Sequence, residues 1–281
     1  MNFDLQGAIN ADTVGRVTIP GNADLQDIGA VTIPKPMIVE GNGPWTTKLR
    51  GTITAPDGTG VILQNFRLES SVAGETGITM GTEAVSVKPK LSNLVLANFD
   101  TPLDIQGACA AQIENVYFVD YTLKGMKLAN KFNGDQGDNK VVDCEFSTSI
   151  PTAEAGIFQT SSGGLTISGN KFLGGQRAYD GQFDCETSDL TFTGNSFENL
   201  TEGAVRVLPA EGCRFANFTM SPNQMAGAFN GVDLTNVDNV AMTANIFNLP
   251  PGHTAMKLRG CTCLHILNNP IPSGVTALDN Q

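Results

Sequence analysis

The chain is 281 residues long, with 31 glycines, only 16% charged residues and a formal net charge of −11. Phosphate contacts need clustered Lys and Arg, and no cluster occurs, so a nucleic-acid partner is excluded. No run approaches the roughly 18 apolar residues of a membrane-spanning helix, and residues 1–7 lack the basic and apolar regions of a secretory signal; the reading is synthesis in a cytoplasm, with no membrane partner.

In chain order, residues 2–10 carry Phe3, Leu5 and Ile9, which are available to cover one end of the folded chain. Arg16-Val-Thr-Ile-Pro20 and Ala30-Val-Thr-Ile-Pro34 read as short strands stopped by proline. The segment Met37-Ile-Val-Glu-Gly-Asn-Gly-Pro-Trp-Thr-Thr-Lys-Leu-Arg50 places glycines where the chain must turn sharply. Its Trp45, the sole tryptophan, is expected to pack under the N-terminal end, with stacking on a sugar ring as the alternative.

From Leu63 onward a repeat sets in. An apolar anchor is followed five positions later by a second apolar residue: Leu63/Leu68, Leu91/Leu96, Ile113/Phe118, Val141/Phe146, Ile167/Phe172, Phe192/Phe197, Phe215/Met220, Met242/Phe247 and Ile266/Ile271. Successive anchors lie 22 to 28 residues apart, about 25 on average. Two positions before the anchor the residue is usually apolar as well (Val61, Leu165, Leu190, Cys213, Val240), with polar residues between, which is the alternation of a strand with one buried face. Asn or Asp stands at anchor plus two in the earlier repeats (Asn65, Asn93, Asn115, Asp143) and at anchor plus three in the later ones (Asn170, Asn195, Asn245, Asn269). Such residues tolerate left-handed φ and bond nearby backbone, and one per coil they are expected to stack. About ten residues upstream of the anchor runs a second strand, as in Pro102-Leu-Asp-Ile105, Ala204-Val-Arg-Val207, Gly231-Val-Asp-Leu234 and Ala255-Met-Lys-Leu258.

Short strands at this fixed period pair with their counterparts in the next repeat. A left-handed hexapeptide helix would show a period of six, and a propeller blade needs about 40 residues. The sequence therefore predicts an all-β, right-handed parallel β-helix, a solenoid of about 25 residues per coil and roughly nine to eleven coils. One domain spans 1–281, with 1–29 as N-terminal cap and first coil, 30–271 as regular coils and 272–281 as a C-terminal tail. The six cysteines read as buried filler. Cys261-x-Cys263 has the wrong spacing for a zinc knuckle and only His253 and His265 could complete a site, so no metal and no cofactor are expected.

The Ile-Val-Glu-Gly-Asn-Gly segment followed by Thr-Lys-Leu, and the repeated Leu165-Thr-Ile-Ser-Gly-Asn-Lys-Phe172 and Leu190-Thr-Phe-Thr-Gly-Asn-Ser-Phe197, resemble the pectate-lyase-like β-helix superfamily. Within it they most resemble bacteriophage tailspikes and related virion proteins. The resemblance implies a site on one exposed sheet, and a homotrimer with parallel axes or docking on another virion protein. Polysaccharide lyases and hydrolases of this kind wall their sites with long loops, whereas the links here, such as Phe118 to Gly125 and Phe197 to Gly203, are short.

Two constellations carry chemistry. In Tyr179-Asp-Gly-Gln-Phe-Asp-Cys-Glu-Thr-Ser-Asp189, alignment ten residues before Phe192 puts Gln182 and Asp184 at positions that are elsewhere apolar, with Glu186 and Asp189 close behind. Asp184, Glu186 and Asp189 are the catalytic candidates, since glycoside hydrolysis needs two carboxylates about 5–9 Å apart. The competing alignment moves Tyr179 inward and leaves the acids facing solvent. The second constellation is an outward stripe of Phe158, Phe183, Arg206, Asp233 and Lys257, read either as a substrate-binding surface for an acidic sugar or as an exposed charge ladder. Three functions stay open. The first is a tailspike-like virion appendage, released by lysis, that recognises and in one version degrades host surface polysaccharide. The second is a non-enzymatic structural or decoration protein of the virion. The third is a polysaccharide lyase or glycoside hydrolase.

Overall fold

Within each repeat the apolar alternation resolves into short strands that pair, in parallel, only with their counterparts one coil away. The computed structural model describes residues 3–280 except 23, 59, 83–86, 109, 130–137, 161–163 and 184–188. It is a parallel β-solenoid of about ten turns with three faces. Sheet A contains Thr101–Gln106, Lys124–Ala129, Ala155–Thr160, Arg177–Phe183, Gly203–Pro209, Asn230–Thr235 and Thr254–Arg259. Sheet B carries the anchors, for example Leu165–Ser168 and Asp189–Thr193, and sheet C carries the second apolar positions, for example Lys171–Leu173 and Ser196–Glu198. Residues expected as a tail add one more rung, because Thr276–Asn280 pairs with Thr254–Arg259 on sheet A.

The core is a set of columns running down the axis. Phe118, Phe146, Phe172 and Phe197 stack face to face, with centroids 4.4, 4.9 and 5.3 Å apart and planes within 8°. Parallel pairing imposes this geometry, since each ring sits directly over the same position in the next coil. At the B–C corner Asn170, Asn195, Asn223, Asn245 and Asn269 form a second column, each Nδ2 donating to the next Oδ1 or to a backbone carbonyl. The Oδ1 atoms of Asn170, Asn195, Asn223 and Asn269 also accept backbone N–H groups, as from Asn170 N to Asn195 Oδ1 at 2.9 Å. The column thereby satisfies corner backbone groups that the ladder leaves over.

Asn223 corrects the repeat alignment. The residue in register with Phe192 is Met220, not Phe215, and Met225 takes the place of Met220 under Phe197. Phe215 is buried as well and pairs with Val237 beside the ring of Phe183, which is why it imitates an anchor. A second correction falls in Arg177–Phe183. Tyr179 and Gly181, not Gln182 and Asp184, align with the inward Val205 and Val207. The Tyr179 hydroxyl donates to the buried Gln159 Oε1 at 2.8 Å. A Cβ at Gly181 would meet the Phe183 ring at 2.5 Å, so that ring occupies the space of a side chain.

The first coil is closed by a helix, Leu5–Ala11, capped by Asp4 and burying Leu5 and Ile9. Its Gln6 amide donates to the Thr32 carbonyl and accepts from the Thr32 N–H, so a side chain mimics the missing strand. The cysteines are not uniformly filler. Cys144 is buried and its thiol is pushed up to about 12 by that burial, whereas Cys213 is disulfide-bonded and Cys263 is exposed.

Phe172→Ala opens a cavity between two stacked rings, and the expected cost is about 3–5 kcal/mol in chemical denaturation. A loss under ~1 kcal/mol would contradict the column. Outer carboxylates held below their ordinary values contribute to acid stability, two of them strongly. Arg16 and Gln64 hold Glu40 down at about 2, and Arg214 with Thr262 holds Asp238 down at about 2, from ordinary values of 4.5 and 3.8. Because the folded values lie below the unfolded ones, their contribution is present above the ordinary values and is lost as pH falls toward the folded ones. Denaturation midpoints should therefore drop between about pH 5 and about pH 2, and Glu40→Gln should flatten part of that drop.

Candidate functional site

Alternation along sheet A decides which side chains reach solvent. Val205, Val207, Val232 and Leu234 point into the core, so Arg206 and Asp233 between them point out. Register then builds one outward row on successive coils: Asp104, Lys127, Phe158, Asp180, Arg206, Asp233, Lys257 and Asp279. Rungs are about 4.8 Å apart. Aside from Phe158 the row alternates in sign. Arg206 donates from Nε and Nη2 to both Asp180 oxygens at 2.7 and 2.6 Å. Lys127 Nζ lies 3.6 Å from Asp104, and Arg259 donates to Asp233 at 2.7 Å.

Where this row meets Gly203 and Gly231 the surface dips into a depression of about 390 Å³, walled by Arg177, Glu202, Arg206 and Asp233. Gly203 stands where the two coils before it place Arg177 and Ala155, and its missing side chain leaves the space. Arg177 pairs with Glu202. Burial, and then the neighbouring Arg206 charge, push the Arg177 guanidinium below its ordinary range, with Asp180 and Asp233 partly offsetting this. The Asp180 hydrogen bonds hold Arg206 above its ordinary range. Two guanidiniums therefore face one depression, each already fixed in orientation by a carboxylate. Such an array offers rigid donors beside rigid acceptors, which suits ligands bearing hydroxyl and carboxylate groups.

The expected site residues divide. Phe158, Arg206, Asp233 and Lys257 share the outward row, although Lys124 sits 4.7 Å over the Phe158 ring and covers part of the stacking surface. Phe183 does not belong to the row. Its ring turns inward and is 3% exposed, because the three-residue shift in this coil gives the outward slot to Asp180. Asp184 and Glu186 lie outside the described residues. Asp189 is on sheet B, where it accepts from Asn217, which in turn accepts from Asn239 at 2.9 Å. It heads an amide ladder on a different face from the depression. His265 is exposed on sheet B. Asp180 and Arg177 were missed in the sequence. The signal for Asp180 was the alternative alignment of Tyr179, and nothing in the repeat singles out Arg177.

The family model described as right handed beta helix region matches residues 57–247. The chain belongs to the right-handed β-helix family. No curated protein sequence matches it. Among solved structures it is similar to the Agl-KA catalytic domain, at 13% identity and TM-score 0.48, over 98% of this chain and 64% of that one. It is also similar to the Streptococcus pneumoniae surface protein and adhesin PfbA, at 11% identity and TM-score 0.41, over 98% of this chain and 93% of that one. The chain thus spans just under two thirds of the Agl-KA catalytic domain.

Arg206→Ala would remove both guanidinium donors from the Asp180 carboxylate, whose side chain is 5% exposed, and leave it the Gln182 amide at 3.3 Å. The expected loss is about 3 kcal/mol, largely recovered when Asp180 is replaced by Asn in the same chain. A double-mutant cycle in urea measures it, and a single-variant loss below ~1 kcal/mol would show that the Gln182 amide and water suffice for Asp180.

Proposed function

We propose that this β-helix recognises a host surface polysaccharide carrying carboxylate groups, as a tailspike-like appendage of a bacteriophage virion, and that the saccharide lies in the sheet A depression. The observation that carries the reading is the pair of guanidiniums, Arg177 and Arg206, oriented on one concave patch of sheet A. A carboxylated sugar supplies the acceptors these donors match, and its hydroxyls match Asn230 and the acids. Binding is favoured over cleavage because the described acids lining the depression, Glu202 and Asp233, are engaged by arginine N–H groups. In the same reading the protein works as a homotrimer or docked on another virion protein. Leu264, Leu267 and Leu278, exposed on the last described coils, support an apolar contact there.

The test uses calorimetric titration with oligogalacturonate as the acidic probe and the matching galacto-oligosaccharide as the neutral one. Arg177→Ala removes one guanidinium whose partner Glu202 is solvent-accessible, so the fold should hold. The expected result is preference for the acidic probe, weakening at high salt, and an affinity loss of about tenfold in Arg177→Ala, or ~1.4 kcal/mol. No binding of the acidic probe, or no effect of the substitution on it, would refute the reading.

A further inference from the structure

The sole tryptophan does not pack under the N-terminal end. Trp45 is 65% exposed, the largest side chain on the exterior, and Thr46 beside it is exposed too, while Pro44 and Thr47 on either side of the pair are buried. The loop that carries it is held by its own hydrogen bonds. Thr47 N donates to Gly43 O at 2.8 Å, Thr46 Oγ1 to Asn42 O at 2.6 Å, and Asn42 N to Thr47 Oγ1 at 2.8 Å. Gly43 at φ 117° makes the turn that a side chain would strain. Gly43 N and Asn22 N tie the loop to the neighbouring coils through Asn65 O and Thr46 O. An indole is thus presented on a rigid mount, and core packing gives no reason for it.

Beside the indole is a depression of about 420 Å³ lined by Gly21, Asn22, Asn42, Trp45 and Thr46. Its lining is amide, hydroxyl and aromatic, with no ionisable side chain, in contrast to the arginine-walled site on sheet A. The Asn22 amide beside the indole is held in place, its Nδ2 donating to the Lys48 carbonyl at 3.1 Å. A flat aromatic face flanked by groups that both donate and accept matches a pyranose, whose C–H face is apolar and whose rim carries hydroxyls. We infer that Trp45, with Asn22, Asn42 and Thr46, forms a second saccharide subsite that takes a neutral sugar ring. It lies six coils from the sheet A depression, counting rungs from Lys48 to Ser196, which is roughly 30 Å along the axis. A polysaccharide with neutral and acidic residues could engage both sites, and the second contact would then be intramolecular.

Because Trp45 is the only tryptophan, its fluorescence reports on this subsite alone. Neutral gluco-, galacto- and manno-oligosaccharides are titrated into the whole chain, with oligogalacturonate in parallel. The expected result is a saturable change in emission with at least one neutral probe. Trp45→Ala, read by calorimetry, should weaken that probe about tenfold, and Trp45→Phe should recover part of it. Arg177→Ala should leave it within about twofold. Circular dichroism spectra and thermal midpoints of the Trp45 variants should match the parent, since the residue is exposed. No response to any neutral probe at millimolar concentration would overturn the inference, as would unchanged neutral binding in Trp45→Ala. So would an emission change that depends on protein concentration without sugar, which would assign the indole to contact between copies. Failure of oligogalacturonate alone would count against the sheet A reading and leave this subsite standing.

Discussion

Each strand in this rod hydrogen-bonds to the same strand one coil away, so every side chain spends its life about 4.8 Å from its own counterpart in the next repeat. That contact is stricter than ordinary core packing, because a residue cannot choose a partner elsewhere on the sheet. Groups that attract their own kind are rewarded. Aromatic rings stack, as Phe118 to Phe197 do, and a primary amide can donate upward and accept downward, as Asn170 to Asn269 do. The corner position changes character along the chain for the same reason. At anchor plus three, Phe66, Leu94, Val116 and Cys144 are buried and apolar, and from Asn170 onward the position is amide, buried through Asn245 and half-buried at Asn269. Either kind of column is self-consistent, but a lone amide among hydrocarbons would be unsatisfied, so Asn occurs in an unbroken run.

Like charges are the opposite case. Identical ions stacked at this spacing repel across the whole row. The outward row on sheet A resolves this by alternating sign from Asp180 through Asp279, and by closing Asp180 with Arg206 in a two-toothed contact. The alternation also resists slippage, since moving one strand by a coil would set Arg on Lys and Asp on Asp. Near-identical repeats otherwise have weakly specified order, and charge sign is a label that hydrophobic columns do not carry.

The strictness of the coil-to-coil contact also explains how much of the fold was legible in the sequence. The period, the parallel pairing and the Asn column follow from spacing alone, because each depends on a residue type recurring at one offset. Register within a single coil was less legible. Phe215 and Met220 are both apolar and both buried, so hydrophobicity could not choose between them, and only the amide at Asn223 identifies the true anchor. In the coil of Tyr179 the inward slots hold Tyr and Gly, which is a poor match to a Val or Leu template. The ring of Phe183 fills the space over Gly181, a compensation between residues two apart that a repeat alignment cannot express. The repeat alignment therefore sets Phe183 in the slot that Asp180 holds. The arginine of that ion pair was found, but its acid was not.

Recognition chemistry in such a fold has to come from departures from the repeat. A perfect solenoid presents flat faces with one side chain per 4.8 Å or so, and a flat face excludes too little water to hold a ligand well. Concavity appears where a coil omits an outer side chain, as at Gly203, or where a turn is lengthened, as between Gly41 and Thr47. Both places sit on backbone fixed from above and below by ladder bonds, so the polar groups around them are oriented before any ligand arrives. The ion pairs do this for Arg177 and Arg206, and the turn hydrogen bonds do it for Trp45. Rigidity that the coils need in order to stack is thus the same rigidity that lowers the cost of binding, and it places the two concave sites at fixed points along one rod, where a chain of sugars could span them.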